Sequence, residues 1–110
     1  MPTINGDRKK VNSVLMELLG SGNVYYDPPT SIKMKYPAIR YTLEDVDTTA
    51  ASTAAHVVHL IYMCTLIDRE ADSAIFRKLL YDSMFVFDRH YVADNLHHYV
   101  FHVWALEPNN

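Results

Sequence analysis

Apolar residues recur at three- and four-residue spacing in two segments of the chain, which is the pattern of an amphipathic helix. The first segment begins after Asp7, a candidate N-cap, and stops before a Gly-Ser-Gly turn, so we predict a helix over residues 7–20. Its apolar positions are Val11, Val14, Leu15, Leu18 and Leu19. The second segment follows Asp72 or Ser73, either of which can cap a helix, and we predict a helix over residues 72–83. Its apolar stripe is Ile75, Phe76, Leu79 and Leu80.

Strand patterns fill much of the remaining chain. Residues 37–46 alternate between apolar and polar side chains, which predicts a half-buried strand. Residues 55–67 are rich in β-branched and aromatic side chains and are apolar on both faces, so we expect them to form a central strand. A last long strand is predicted over residues 96–106, with shorter extended pieces over 24–26 and 84–87.

Three connecting segments lack these patterns. Residues 27–31 contain two prolines, which have no backbone donor, and a loop is predicted there. Residues 47–54 are acidic and then small and polar, which predicts an exposed hairpin arm or a loop. Residues 88–95 are mostly polar, and we interpret them as the connection between the last two strands.

The order of these elements is typical of an α+β domain. Strands and helices do not alternate regularly, as a doubly wound parallel sheet requires. We therefore predict one α+β domain over residues 1–110, with a mostly antiparallel or mixed sheet of about four to five strands flanked by two helices. A chain of 110 residues is too short for a second independent domain.

Composition and charge narrow the class of protein. With 49% hydrophobic and 21% charged residues, the chain has the composition of a soluble globular protein. A formal charge of −3 disfavours a general nucleic-acid-binding protein, which normally carries a basic excess. The longest apolar run, residues 57–67, is shorter than the ~20 residues of a membrane-spanning helix, and no secretion signal is recognisable, so we expect no membrane association. The lone Cys64 lies in that run, and we expect a buried thiol in a protein made in a reducing cytoplasm.

The residues that could carry chemistry do not form a catalytic pattern. His98 and His102 share one face of the last strand but lie roughly 13 Å apart, too far to bind one ion without a further ligand such as His59. Acidic residues fall in the predicted arm and at a helix start, where solvation and the helix dipole explain them. The three glycines offer no phosphate-binding loop. We therefore expect no metal, no cofactor, no catalytic residue and no enzymatic activity.

A group of aromatic, proline and basic residues is instead typical of protein interfaces, where tyrosine and arginine are enriched. We predict that these residues contact other protein chains: Tyr25, Tyr26, Asp27, Pro28, Pro29, Lys33, Lys35, Tyr36, Arg89, His90 and Tyr91. From composition alone, an equally good explanation is that the aromatic residues cover one edge of a small core.

The same region of the sequence resembles a known family. The sequence is similar to the tail terminator, or tail completion, proteins of long-tailed bacteriophages. The similarity lies in residues 24–29, 32–41, 65–69 and 87–101. The resemblance implies an α+β fold and a hexameric ring at the head-proximal end of the tail tube. Such a ring ends polymerisation of the tube and joins the tail to the connector or stopper proteins of the head, while genomic DNA passes through its central hole. The implied location is the neck of a virion that is assembled in the host cytoplasm.

An acidic lumen would repel DNA phosphates and let the genome slide, which is consistent with the negative charge of the chain. Glu44, Asp45 and Asp47 are the first candidates for the lumen or the arm. Two other functions remain open: a head completion or stopper protein of the same neck, and a small cytosolic ligand-binding or enzyme dimer that uses the last strand as a pocket wall.

Overall fold

A six-stranded sheet and two helices form the part of the chain that the structure, a computed structural model, describes: residues 2–50 and 56–108. The elements in chain order are β1 (Ile4–Asn5), α1 (Arg8–Leu19), β2 (Val24–Tyr26), β3 (Ala38–Ala50), β4 (His56–Asp68), α2 (Ala74–Leu80), β5 (Val86–Ala93) and β6 (Leu96–Leu106). The α+β fold class is confirmed. The predicted arm extended to residue 54, and residues 51–54 lie outside the described part of the chain.

The strand predicted to be central, β4, lies between β3 and β6. β3, β4, β6 and β5 form consecutive antiparallel pairs, as a mostly antiparallel sheet requires. Two short strands complete the sheet in parallel: β2 beside β3, and β1 beside the last residues of β6. β1 has two residues and was not predicted, so the sheet exceeds the expected four to five strands.

Local capping explains the helix boundaries. The Asp7 carboxylate accepts a hydrogen bond from the Lys10 amide, and Gly20 adopts the left-handed conformation (φ 81°) that ends α1, so the prediction for this helix is confirmed. Ser73 caps α2 and also donates to Asp68, at 2.8 Å. α2 ends three residues before the predicted boundary because the chain turns at Asp82, whose carbonyl accepts from the Phe85 amide at 3.2 Å.

The core lies between the helices and one face of the sheet, which we call the helix-bearing face. Its fully or almost fully buried members include Val11, Leu15, Ile39, Tyr41, Cys64, Leu66, Leu79, Tyr99, Phe101 and Val103. The opposite side, the helix-free face, carries the alternate residues of the same strands, among them Arg40, Met63, His102 and Trp104. His98 and His102 share this face, as the alternation along β6 predicts.

The prediction of a polar connection over residues 88–95 is wrong. Most of that segment belongs to β5, which pairs with β6 from Val86 to Ala93. Asp94 and Asn95, with φ of 54° and 61°, form the two-residue turn between these strands. The segment reads as polar because β5 is an edge strand with most of its side chains in water.

No helix in residues 2–50 and 56–108 is long and apolar enough to cross a membrane.

Candidate functional site

The β3–β4 hairpin changes its surroundings along its length. Near the helices, Ile39 and Leu66 are fully buried in the core. Farther along β3, Leu43 and Val46 are 42% and 46% exposed, although both belong to the helix-bearing face. We call residues 43–50 and 56–61 the arm. The predicted hairpin arm is thus observed as paired strand up to residue 50, and its inner end begins four residues earlier than expected.

A β-bulge gives the arm two chemically different faces. Leu43 lies opposite Tyr62, and Asp45 lies opposite Ile61, so Glu44 is an extra residue in the ladder. Beyond the bulge, Val46 stays on the helix-bearing face, whereas Asp45 and Asp47 lie on the helix-free face. The β3 strand of the arm is therefore apolar on one side and acidic on the other, and β4 adds His59 and Ile61 to the acidic side.

The three predicted lumen residues are brought together on this acidic side. The Glu44 carboxylate contacts the His102 imidazole, with 2.7 Å between Oε2 and Nε2. Asp47 lies directly opposite His59 on β4. The His59 ring packs edge-to-face against Trp104, with 5.8 Å between ring centroids. The sequence predicts that His98 and His102 share a face, but it does not predict the contact of His102 with Glu44, because that contact depends on the bulge.

The predicted interface residues of the first group lie at the β2 edge of the sheet. The Tyr26 ring lies 4.9 Å from that of Tyr41, and the Arg8 guanidinium lies 4.5 Å from the Tyr26 centroid. The Tyr25 hydroxyl accepts from the Lys35 amide at 3.3 Å, which fastens the following loop to the sheet. Tyr36 lies under the Arg69 guanidinium. The first group at this edge consists of Tyr25, Tyr26, Asp27, Pro28, Pro29, Lys33, Lys35 and Tyr36.

The second group lies at the opposite edge, on β5. Tyr91 stacks on His98 with 4.6 Å between ring centroids, and Arg89 lies exposed beside Asp88. His90 stacks on Tyr99 and shares a hydrogen bond of 2.9 Å with His97. β6, β4 and β3 separate this group from the first. The residues predicted as interface therefore form two separate surfaces, because strand pairing rather than sequence proximity decides which edge each one occupies.

The structure also bears on the alternatives that require a pocket or a reactive group. A cavity of about 160 Å³ on the helix-free face is lined by Asp27, Pro28, Arg40, Tyr41, Thr42, Met63 and Thr65, and none of the histidines of β6 lines it. Among the residues described, no group of three or more His, Cys, Asp or Glu side chains is arranged to hold a metal ion.

In the core, desolvation favours the neutral form of each buried ionisable group. Cys64 is fully buried, and burial raises the pKa of its thiol, so the sulfur is protonated at neutral pH. Burial likewise raises the pKa of Tyr62 to about 12. The predicted structural role of Cys64 is confirmed by its burial.

Comparison of this chain with models of protein families, with curated proteins and with solved structures finds no match. Its function must therefore be inferred from the arm, the two sheet edges and the resemblance of the sequence.

Proposed function

We propose that this chain is a structural subunit that assembles with copies of itself into a closed ring, and that the ring is the tail terminator of a long-tailed bacteriophage. The observation that carries the proposal is the arm, which extends an apolar sheet face beyond the part of that face that the helices cover. The resemblance of the sequence to tail terminator proteins supplies the biological setting.

The arm favours assembly over an isolated monomer. Leu43 and Val46 place apolar surface on an extended hairpin, and Leu60 on β4 is only partly buried beside them. Contiguous apolar surface of this kind costs solvation free energy in water and is typical of surfaces that another chain covers. An elongated shape, 52 × 31 × 21 Å, lets the arm reach a neighbouring molecule.

A ring rather than a two-fold dimer agrees with the distribution of candidate contacts. Head-to-tail assembly needs two different complementary surfaces on each subunit, and it closes into a ring when the rotation allows. The chain has two such surfaces, the outer edge of β3 along the arm and the outer edge of β5. We assign the β2 edge and its tyrosine-rich loop to contacts with the tail tube protein or the head connector.

The acidic side of the arm suits a channel for DNA. Glu44, Asp45 and Asp47 share one face, and like charge repels the phosphate backbone. In the proposed ring this face lines the lumen, so that the genome passes without sequence-specific binding. The virion neck is the proposed location.

The assembly is tested by native mass spectrometry and negative-stain electron microscopy of the purified protein. We expect a closed ring of about six copies with a central hole. Val46→Asp should abolish or weaken the ring, because it places a charge in the covered apolar face. Met16→Asp, a control at an exposed apolar residue on α1, should leave the ring unchanged.

A stable dimer with a bound metabolite or metal would overturn the proposal and favour the ligand-binding alternative. Terminator function is tested separately by adding the protein to polymerising tail tube protein from the same genome. We expect tubes of limited length with the ring at one end. A ring that instead binds only head connector proteins would identify a stopper protein.

A further inference from the structure

Two strand edges of the sheet are open. β3 pairs with β2 only through residues 39–41, and beyond Thr42 no described residue pairs with its outer edge. β5 pairs with β6, and none of the residues described pairs with its other edge. Free strand edges present backbone N–H and C=O groups that can pair with a strand of another molecule.

Each open edge contains one bulge followed by a regular stretch. In β3 the extra residue is Glu44, and residues 45–50 pair regularly with β4. In β5 the extra residue is Asp88, and residues 89–93 pair regularly with β6. Bulges oppose edge-to-edge pairing where they occur, so any added strand must align with the regular stretches.

The side chains of residues 45–50 and of residues 89–93 are complementary on each face of the sheet. On the helix-free face, β3 carries Asp45 and Asp47, while β5 carries Arg89. On the helix-bearing face, Val46 and Val92 are 46% and 57% exposed. An antiparallel register with Val46 opposite Val92 aligns residues 45–49 with 89–93. It also places Asp47 diagonally from Arg89, within reach of that long side chain.

Strand direction agrees with this pairing. Within one chain β5 is antiparallel to β3, because three successive antiparallel pairs separate them. A neighbouring copy in the same orientation therefore presents β5 antiparallel to β3 and keeps its helices on the same side of the sheet. The contact joins two different edges, so it repeats from copy to copy, as a ring requires.

We propose that residues 45–49 of one copy pair with residues 89–93 of the next, so that the sheet continues from subunit to subunit. This inference rests on the proposed assembly and identifies the contact that builds it. The occupant of each open edge is a second copy of this chain, for which the opposed charges and the matched valines are the evidence.

The contact is tested with the double variant Val46→Cys/Val92→Cys. Within one chain these positions are separated by three inter-strand spacings and by eight residues along the strands, roughly 30 Å in all, which excludes an internal disulfide. The native Cys64 is fully buried and should not react. After oxidation or treatment with a short thiol-specific cross-linker, we expect covalent species of three or more chains on a non-reducing gel. A mixture of the two single variants should give covalent dimers only.

The matched control is Val46→Cys/Tyr81→Cys, because Tyr81 is 88% exposed and lies off the β5 edge. If the ring forms but the double variant is cross-linked no more than this control, the edge contact is overturned while the assembly proposal stands. Covalent dimers from Val46→Cys alone would reveal a two-fold contact and also overturn it. If no ring forms at all, both proposals fail.

Hydrogen exchange of the unmodified protein gives an independent measurement. Alternate amides of an edge strand face outwards, and we expect those within residues 45–49 and 89–93 to exchange at least tenfold more slowly in the ring than in the diluted monomer. Amides of α1 should exchange equally in both. Unchanged exchange at both edges in a formed ring would overturn the contact.

Discussion

The two ends of the β3–β4 hairpin use the same strands but differ in what covers them. At one end Ile39 and Leu66 are completely buried in the core beneath the helices, and at the other end Leu43 and Val46 remain exposed on the same face. The apolar pattern of the strands is continuous, whereas the helix layer is not. An apolar strand pattern therefore indicates which face of a strand is suited to burial, and the position of the helices decides which part of that face the same chain covers.

The largest expected effect is on the free energy of unfolding, and it is found by comparing two leucines of β4, one at each end of the hairpin. Leu66→Ala removes a fully buried side chain, and we expect it to lower the free energy of unfolding by about 2–5 kcal/mol. Leu60→Ala changes a partly buried side chain on the same face, and we expect a loss of about 1–2 kcal/mol. Urea unfolding of the monomer measures both. Equal losses of stability would show that the arm is packed as tightly as the rest of the domain.

The second effect is a pH dependence of stability, and it concerns Tyr62, which lies next to the arm on β4. Its pKa is raised to about 12 by burial, so the folded state keeps this proton while the unfolded state loses it near pH 10. Stability is therefore fully present below pH 10 and decreases as the pH rises from about 10 to 12. Tyr62→Phe should reduce this decrease, as measured by urea unfolding at increasing pH.

Tyr81→Phe is the control for this experiment, because it removes the hydroxyl of a tyrosine that is 88% exposed. It should leave the pH dependence as in the parent protein. If Tyr62→Phe also leaves the pH dependence unchanged, the Tyr62 hydroxyl is accessible to water.

The smallest effect is expected on the acidic side of the arm. Removing the Glu44–His102 contact with Glu44→Gln should change the free energy of unfolding by less than about 1 kcal/mol, because contacts between partly exposed side chains of this kind contribute little. A double-mutant cycle with His102→Gln measures the coupling between the two side chains. A coupling well above this value would show that the pair is desolvated and that the inner end of the arm is as tightly packed as the rest of the domain.

Elements specified by neighbouring residues were predictable from the sequence. Asp7 and the glycine at the end of α1 fix both ends of that helix, and the long apolar pattern of β4 identifies the central strand. β1 was missed because two residues carry no periodicity, and its pairing with Ala105 and Leu106 joins opposite ends of the chain. Only the start of β5 was predicted, as the extended piece over 84–87. Its continuation to Ala93 was missed because an exposed edge strand lacks an apolar pattern, although the Asp94-Asn95 pair was an available turn signal.

The candidate site was predictable only in its parts. Glu44, Asp45 and Asp47 were identified as acidic arm residues, and β-alternation placed His102 and Trp104 on one face of β6. Their meeting depends on the order of strands in the sheet and on the bulge, and neither is a property of a short stretch of sequence. For the same reason, the two groups of predicted interface residues occupy opposite edges of the sheet.

The bulge in β3 also bears on how the arm tolerates changes in length. If Glu44 is set aside, residues 38–50 alternate without a break between the two faces and keep every cross-strand partner they now have. Loss of that one codon would shorten the strand without moving any other side chain to the wrong face. Loss of one codon from the regular stretch beyond it would exchange the acidic and apolar sides of the remaining arm. Glu44 is thus the position at which this strand can gain or lose a residue during evolution.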